Sequence, residues 1–235
     1  MYQKSILDNG LRIITSTMPH TRSVCINIFV GSGSRHESED EAGTSHFIEH
    51  LCFKGTQRRP TAKEIAESIE GVGGLLNGGT DKEFTIYWCK VARPHFSLAL
   101  DLTVDMLRFS KFSAEDMERE RSIIIEELNE SMDSPQHRVN MLIDEVVWPD
   151  QALGRDIAGS KKTVSDLSRE MLLDYFSCQY APNNTIIGVA GEISHEEVLS
   201  SIGEILGDWE VATPRSPYPA DDTQDAPRLR IDRRD

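Results

Sequence analysis

No apolar run in the 235-residue sequence is long enough to span a bilayer, and Met1-Tyr2-Gln3-Lys4 opens into patterned sequence without a signal-peptide core. Positive charge is scarce: 25 Lys and Arg face 39 Asp and Glu, a formal net charge of −14. That balance argues against nucleic-acid and anionic-membrane partners, whose phosphates need a basic surface. Cysteine is also sparse. Cys25, Cys52, Cys89 and Cys178 are scattered with no Cys-x-x-Cys pair. They predict reduced, mostly buried thiols in a cytoplasmic protein rather than a disulfide framework. The glycines of Gly31-Ser32-Gly33-Ser34 lack the Lys-Ser/Thr of a phosphate loop and are read as a turn, with His36 in a surface loop.

What is present is a globular composition, 38% hydrophobic, long enough for one large or two small domains. Asn9-Gly10 reads as a turn before a strand at 12–16, and apolar or alternating runs predict strands at 23–30, 84–91 and 185–189. Helical periodicity marks 61–69, 94–109, 113–131, 139–147, 165–180 and 194–206, with Pro135 as an interruption. After Trp209 the chain turns Pro- and Asp-rich. Residues 1–210 are therefore read as one domain and 211–235 as a linker, with 228–232 the start of a further strand.

The chemistry concentrates in Thr44-Ser45-His46-Phe47-Ile48-Glu49-His50-Leu51-Cys52-Phe53-Lys54. Read as a helix, it stacks His46 and His50 one turn apart with Glu49 beside the same face. Two imidazoles and a carboxylate at that spacing supply two metal ligands and a general base. A third ligand is expected from another helix. In 113–131, Met117, Ile124 and Leu128 form an apolar stripe, and Glu120 and Glu127, seven residues apart, project within about 20° of each other inside it. Carboxylates on an apolar face need a cation or hydrogen-bond donors to offset their desolvation. Glu127 is read as the third ligand and Glu120 as a carboxylate that orients a ligating histidine. Glu126, beside Arg119 and Glu130, points to water.

His46-Phe47-Ile48-Glu49-His50 with Phe53-Lys54-Gly55-Thr56, followed by Glu120-Arg121 and Glu126-Glu127-Leu128, resembles the pitrilysin/insulinase metallopeptidases, above all the bacterial members similar to mitochondrial processing peptidases. Gly73-Gly74-Leu75-Leu76-Asn77-Gly78-Gly79-Thr80 resembles a further segment of that family, with Gly78 where alanine is usual. The resemblance runs from about residue 6 to about residue 209. It implies an α+β fold, a mixed and largely antiparallel sheet with helices mainly on one face. It implies zinc held by His46, His50 and Glu127, with Glu49 activating water and Glu120 tuning the site. An edge strand near the metal would pair with extended peptide substrate, and Asn77 and Gly78 are the expected contacts. It also implies a bacterial protein and a second, homologous half-domain, in the same chain or a partner subunit, beyond what this sequence covers.

Two other readings stay open at the level of sequence. One is a non-catalytic homologue acting as a scaffold or substrate-presenting subunit, although such subunits usually lose motif residues that are intact here. The other is a binding domain with a closed structural metal site, which would need a fourth protein ligand that is not evident. Manganese or cobalt could take the place of zinc with such ligands.

Overall fold

In the computed structural model, which describes residues 2–233, six strands form a single mixed sheet. They are β1 (Gln3–Ile6), β2 (Arg12–Thr17), β3 (Ser23–Val30), β4 (Leu75–Thr80), β5 (Thr85–Ala92) and β6 (Thr185–Gly191). The spatial order is β1-β2-β6-β3-β5-β4. Only the β2–β6 pair is parallel; every other neighbouring pair is antiparallel. Residues 185–191 enter the centre of the sheet, between strands from the first thirty residues. The sheet is therefore complete only with residues 185–191 in place.

The alternation of β3 sets the layering. Val24, Ile26, Ile28 and Val30 are wholly buried, as are Ile13 on β2 and Ile187 on β6, whereas Cys25, Asn27 and Phe29 on the other face are only half-buried. Helices lie on the side of the first face, with α5 and α6 packed on α4: α1 (Thr44–Cys52), α2 (Ala62–Glu70), α3 (Phe96–Phe109), α4 (Ala114–Asp133), α5 (Pro135–Val147), α6 (Lys161–Asp166), α7 (Arg169–Gln179) and α8 (His195–Leu206). The result is the α+β arrangement expected, with the sheet's second face left largely open. No helix among the described residues is long and apolar enough to cross a membrane.

Several local expectations differ from the structure. Pro135 does separate two helices, since α4 ends at Asp133, but the second helix starts at Pro135 itself rather than at 139: in the first turn its missing N–H costs nothing, and Ser134 caps the helix by accepting from the His137 amide. The helix expected over 165–180 is two, because Ser168 caps a new helix, α7, after α6 has ended at Asp166. Residues 228–232 form no strand among the described residues. They lie along α5 through side-chain ties, with Arg228 donating to the Val146 carbonyl at 3.1 Å and Arg138 to Asp232 at 2.8 Å. His36 is not a surface residue but is buried in a short 3-10 turn, Ser34–His36.

Candidate metal centre

The helix that carries the two histidines starts without a side-chain cap of its own. Its N-cap, Gly43, has φ of 98°, and a Cβ there would lie 2.6 Å from the Ala158 carbonyl oxygen. The missing cap comes from the preceding loop. The fully buried Glu37 accepts from the Gly43 amide at 2.8 Å and the Ser45 amide at 2.7 Å, placing a carboxylate at the positive end of the helix. Burial pushes the Glu37 pKa up against these hydrogen bonds and the nearby Arg155 charge. Ser45 also bonds Tyr175 Oη at 3.0 Å and Ser32 Oγ at 3.2 Å. Phe47, Ile48, Leu51 and Cys52 are buried in the core. The helix is thus fixed at its end and along its inner face, and His46, Glu49 and His50 project from the other.

The imidazoles of His46 and His50 meet edge to face with centroids 4.6 Å apart. Burial, then the proximity of His50, lowers the His46 pKa to about 4, so the ring is neutral at pH 7 and has a lone pair to offer. One donor atom each from His46, Glu49 and His50 lie within 4.8 Å of one another. Glu127, from α4, brings its Oε2 to 3.7 Å from His50 Nε2 and 3.9 Å from His46 Nε2. These separations are too long for hydrogen bonds. Donors around one tetrahedral zinc ion, at metal–ligand distances of about 2.0–2.1 Å, lie about 3.3 Å apart. Glu127 Oε2 is therefore about half an ångström from that spacing to each of the two Nε2 atoms. Two imidazole nitrogens and a carboxylate are also the donor types zinc takes when a position is left open. The residues fit the ion.

Glu120 and Glu127 leave α4 on the same side, as their seven-residue spacing requires, yet their environments diverge. Glu120 is 1% exposed, whereas the Glu127 side chain is 43% exposed, so Glu127 is not enclosed by the apolar stripe. Glu120 Oε2 lies 3.1 Å from His50 Nδ1. A hydrogen bond from Nδ1 to this oxygen turns the Nε2 edge of the ring towards Glu127. The other oxygen, Oε1, forms an ion pair with Lys54 Nζ at 2.9 Å.

Glu49 stands on the strand side of the histidines. Thr80 Oγ1 donates to its Oε2 at 3.3 Å. Burial raises the Glu49 pKa, and the Glu127 charge adds to the rise, while His50 and the Thr80 hydrogen bond pull it down. A carboxylate with its pKa moved towards neutrality is the kind of group that can take up and return a proton.

Asn77 and Gly78 lie on β4, which pairs only with β5 and is an edge of the sheet. Gly78 faces α1: a Cβ there would be 2.9 Å from Phe53 Cε2 and 3.1 Å from Glu49 Oε1. Asn77 is exposed, and its Oδ1 accepts from the Gly78 amide at 2.8 Å, so its own side chain covers one donor of the open edge. Between β4, α4 and α5 runs a cleft of about 640 Å³ whose lining includes His46, Glu49, Thr80 and Glu127.

Sequence reasoning missed three contributors. Glu37 sits in a loop whose glycines and His36 carry the sequence reading. Thr80 and Lys54 lie in the strings that carry the family resemblance, which assigns neither a role. For Lys54 and Thr80 the available signal was proximity in sequence to the motif blocks. For Glu37 there was none.

Comparison with known proteins agrees with this geometry. The model of the family "Insulinase (Peptidase family M16)" matches residues 12–161, and "Peptidase M16 inactive domain" matches 166–235. The chain is 35% identical over 210 residues to an uncharacterized zinc protease of Bacillus subtilis, YmxG, covering 89% of this chain and 51% of that protein. It is 35% identical over 200 residues to a probable mitochondrial-processing peptidase subunit beta of Arabidopsis thaliana, covering 85% of this chain and 38% of that one. The crystal structure of a protease from Helicobacter pylori superposes with a TM-score of 0.88 at 20% identity, covering 93% of this chain and 53% of that one, a likeness of fold. The chain thus spans about half the length of the curated bacterial relatives it matches. On the match over residues 12–161, with the histidines and carboxylates of the cleft inside it, this chain belongs to the insulinase family of peptidases.

Proposed function

We propose that this chain is the metal-bearing half of a zinc endopeptidase that hydrolyses peptides or unfolded segments. His46, His50 and Glu127 would hold the ion. The observation that carries the reading is the approach of Glu127 Oε2 to within 4 Å of both Nε2 atoms, while Glu120 holds His50 from behind. When bound, zinc supplies Lewis-acid polarisation of a carbonyl and makes water more acidic. Glu49, aimed by Thr80, takes the proton from the attacking water and delivers it to the leaving amine.

Substrate would lie extended along β4, adding a strand to the free edge. For the Gly78 amide to join that pairing, Asn77 Oδ1 must release it, so Asn77 guards the edge when substrate is absent. A second, homologous half, in the same full-length chain or a partner subunit, would close the cleft from the other side; the share of the relatives' length left uncovered supports this. The four unpaired cysteines support a reducing compartment, the cytoplasm of a bacterial cell.

The test is metal analysis coupled to hydrolysis of a quenched peptide, for this chain alone and for a chain extended past residue 235. Stoichiometric zinc is expected in both, with appreciable hydrolysis only in the extended chain. Glu49→Gln in that chain should abolish turnover and keep the zinc. Turnover that survives Glu49→Gln, or a wild-type chain that takes up no metal, would defeat the reading.

A further inference from the structure

We infer that Lys54 is a positioning residue of the metal centre, acting on His50 through Glu120. The inference rests on the reading of His46, His50 and Glu127 as metal ligands. Glu120 has two oxygens and uses them on different partners: Oε2 takes His50 Nδ1 at 3.1 Å, and Oε1 pairs with Lys54 Nζ at 2.9 Å. The side chain is 1% exposed, and no other cation among the described residues is paired with it. A buried carboxylate with one partner can rotate about its last bond to suit that partner. An ammonium held 2.9 Å from the other oxygen restrains that rotation by charge. The direction of the hydrogen bond into His50 then follows, and with it the direction of Nε2.

The backbone around Lys54 is built to keep that ammonium in place. Lys54 N–H donates to the Leu51 carbonyl at 3.1 Å, so the residue continues from the end of α1 without slack. Gly55 follows at φ of 150°, and its carbonyl accepts from the Lys111 amide at 3.0 Å. Thr56 Oγ1 donates to the buried Asp105 at 2.7 Å, and Arg59 pairs with the same carboxylate at 2.7 Å. The turn after the motif helix is thus tied to α3, and the lysine stem starts from a fixed point. An exposed lysine would be too mobile to fix anything; this one is 28% exposed and has its amine on a buried acid. Groups that orient a ligating histidine commonly change metal affinity by about 10–100-fold when removed. Lys54 stands one bond further out and restrains the group that does the orienting.

The experiment measures the zinc dissociation constant by competition with a chromogenic chelator for wild type, Lys54→Met, Lys54→Arg, Glu120→Gln and the Lys54→Met/Glu120→Gln double variant. Thermal melting of the metal-free proteins is run in parallel to check folding. Lys54→Met should weaken zinc binding about tenfold and Lys54→Arg by much less, since arginine restores the charge. The double variant should bind as Glu120→Gln does, because a lysine that works through Glu120 has nothing to act on once that carboxylate is gone. The double variant leaves no unpaired buried charge and keeps the test open if Lys54→Met does not fold. Wild-type affinity in Lys54→Met, or a loss in the double variant beyond that of Glu120→Gln, overturns the inference and leaves the metal site intact. Failure of the wild-type chain to bind zinc would instead remove the functional reading beneath it.

Discussion

Thr80, on an edge strand, donates its hydroxyl to Glu49, on the motif helix, at 3.3 Å. The strand proposed to receive substrate therefore touches the group proposed to move the proton. Thr80→Val keeps the shape and removes the donor. A hydrogen bond to a charged group contributes roughly 1.5 kcal/mol, so kcat in the complete enzyme should fall about tenfold with zinc content unchanged. Steady-state kinetics with metal analysis checks this, and Thr80→Ser should recover most of the loss. An unaltered kcat in Thr80→Val would show that the contact does not serve the reaction.

Gly78→Ala should strain the same corner. The added methyl falls 2.9 Å from the end of the Phe53 ring and 3.1 Å from Glu49 Oε1. Overpacking of this kind costs about 1–3 kcal/mol, here towards the lower end because the ring tip can give. Urea denaturation should record that loss, and Phe53→Leu in the Gly78→Ala background should return part of it. If the single variant is as stable as wild type, the cleft wall is softer than its close packing implies.

Metal-free protein should lose stability as the pH falls. Burial lowers the His46 pKa from 6.5 to about 4 in the folded chain, so unfolding takes up a proton between those values. The folded-state pKa is depressed. The contribution is therefore fully present above about pH 6.5 and is lost as pH falls towards 4, amounting to roughly 3 kcal/mol. Urea titrations of the chelator-treated protein from pH 7 to pH 4 should show this slope, and His46→Gln should flatten it. Equal slopes in the two proteins would mean that His46 is charged or solvated in the native state.

Glu37→Ala should destabilise the chain although the residue touches no proposed ligand. It leaves the Gly43 and Ser45 amides at the buried start of α1 without their acceptor, at a cost of about 3 kcal/mol. Glu37→Gln keeps an acceptor oxygen and should lose about half as much. Hydrogen exchange at the Gly43 and Ser45 amides would locate the effect: faster exchange confined to the start of α1 is expected, and unchanged protection there would contradict the capping role.

Whatever depends on a repeat along one chain segment could be read from the residues in order. A helical period puts His46 and His50 on one face and Glu49 beside them, and the same period sends Glu120 and Glu127 off one side of α4. Alternation in β3 was legible for the same reason, and so was the family resemblance, carried by short strings in fixed order. Tertiary structure alone decided depth and partnership. Glu120 and Glu127 share a direction on the helical wheel, but the place where α1 crosses α4 buries one and leaves the other 43% exposed. Glu37 caps a helix that begins seven residues after it, His36 is buried where a polar loop suggested surface, and Lys54 reaches an acid 66 positions further along the chain. Periodicity fixes the angle at which a side chain leaves its own element. Only the packing of elements against each other fixes what it meets there and how much water remains.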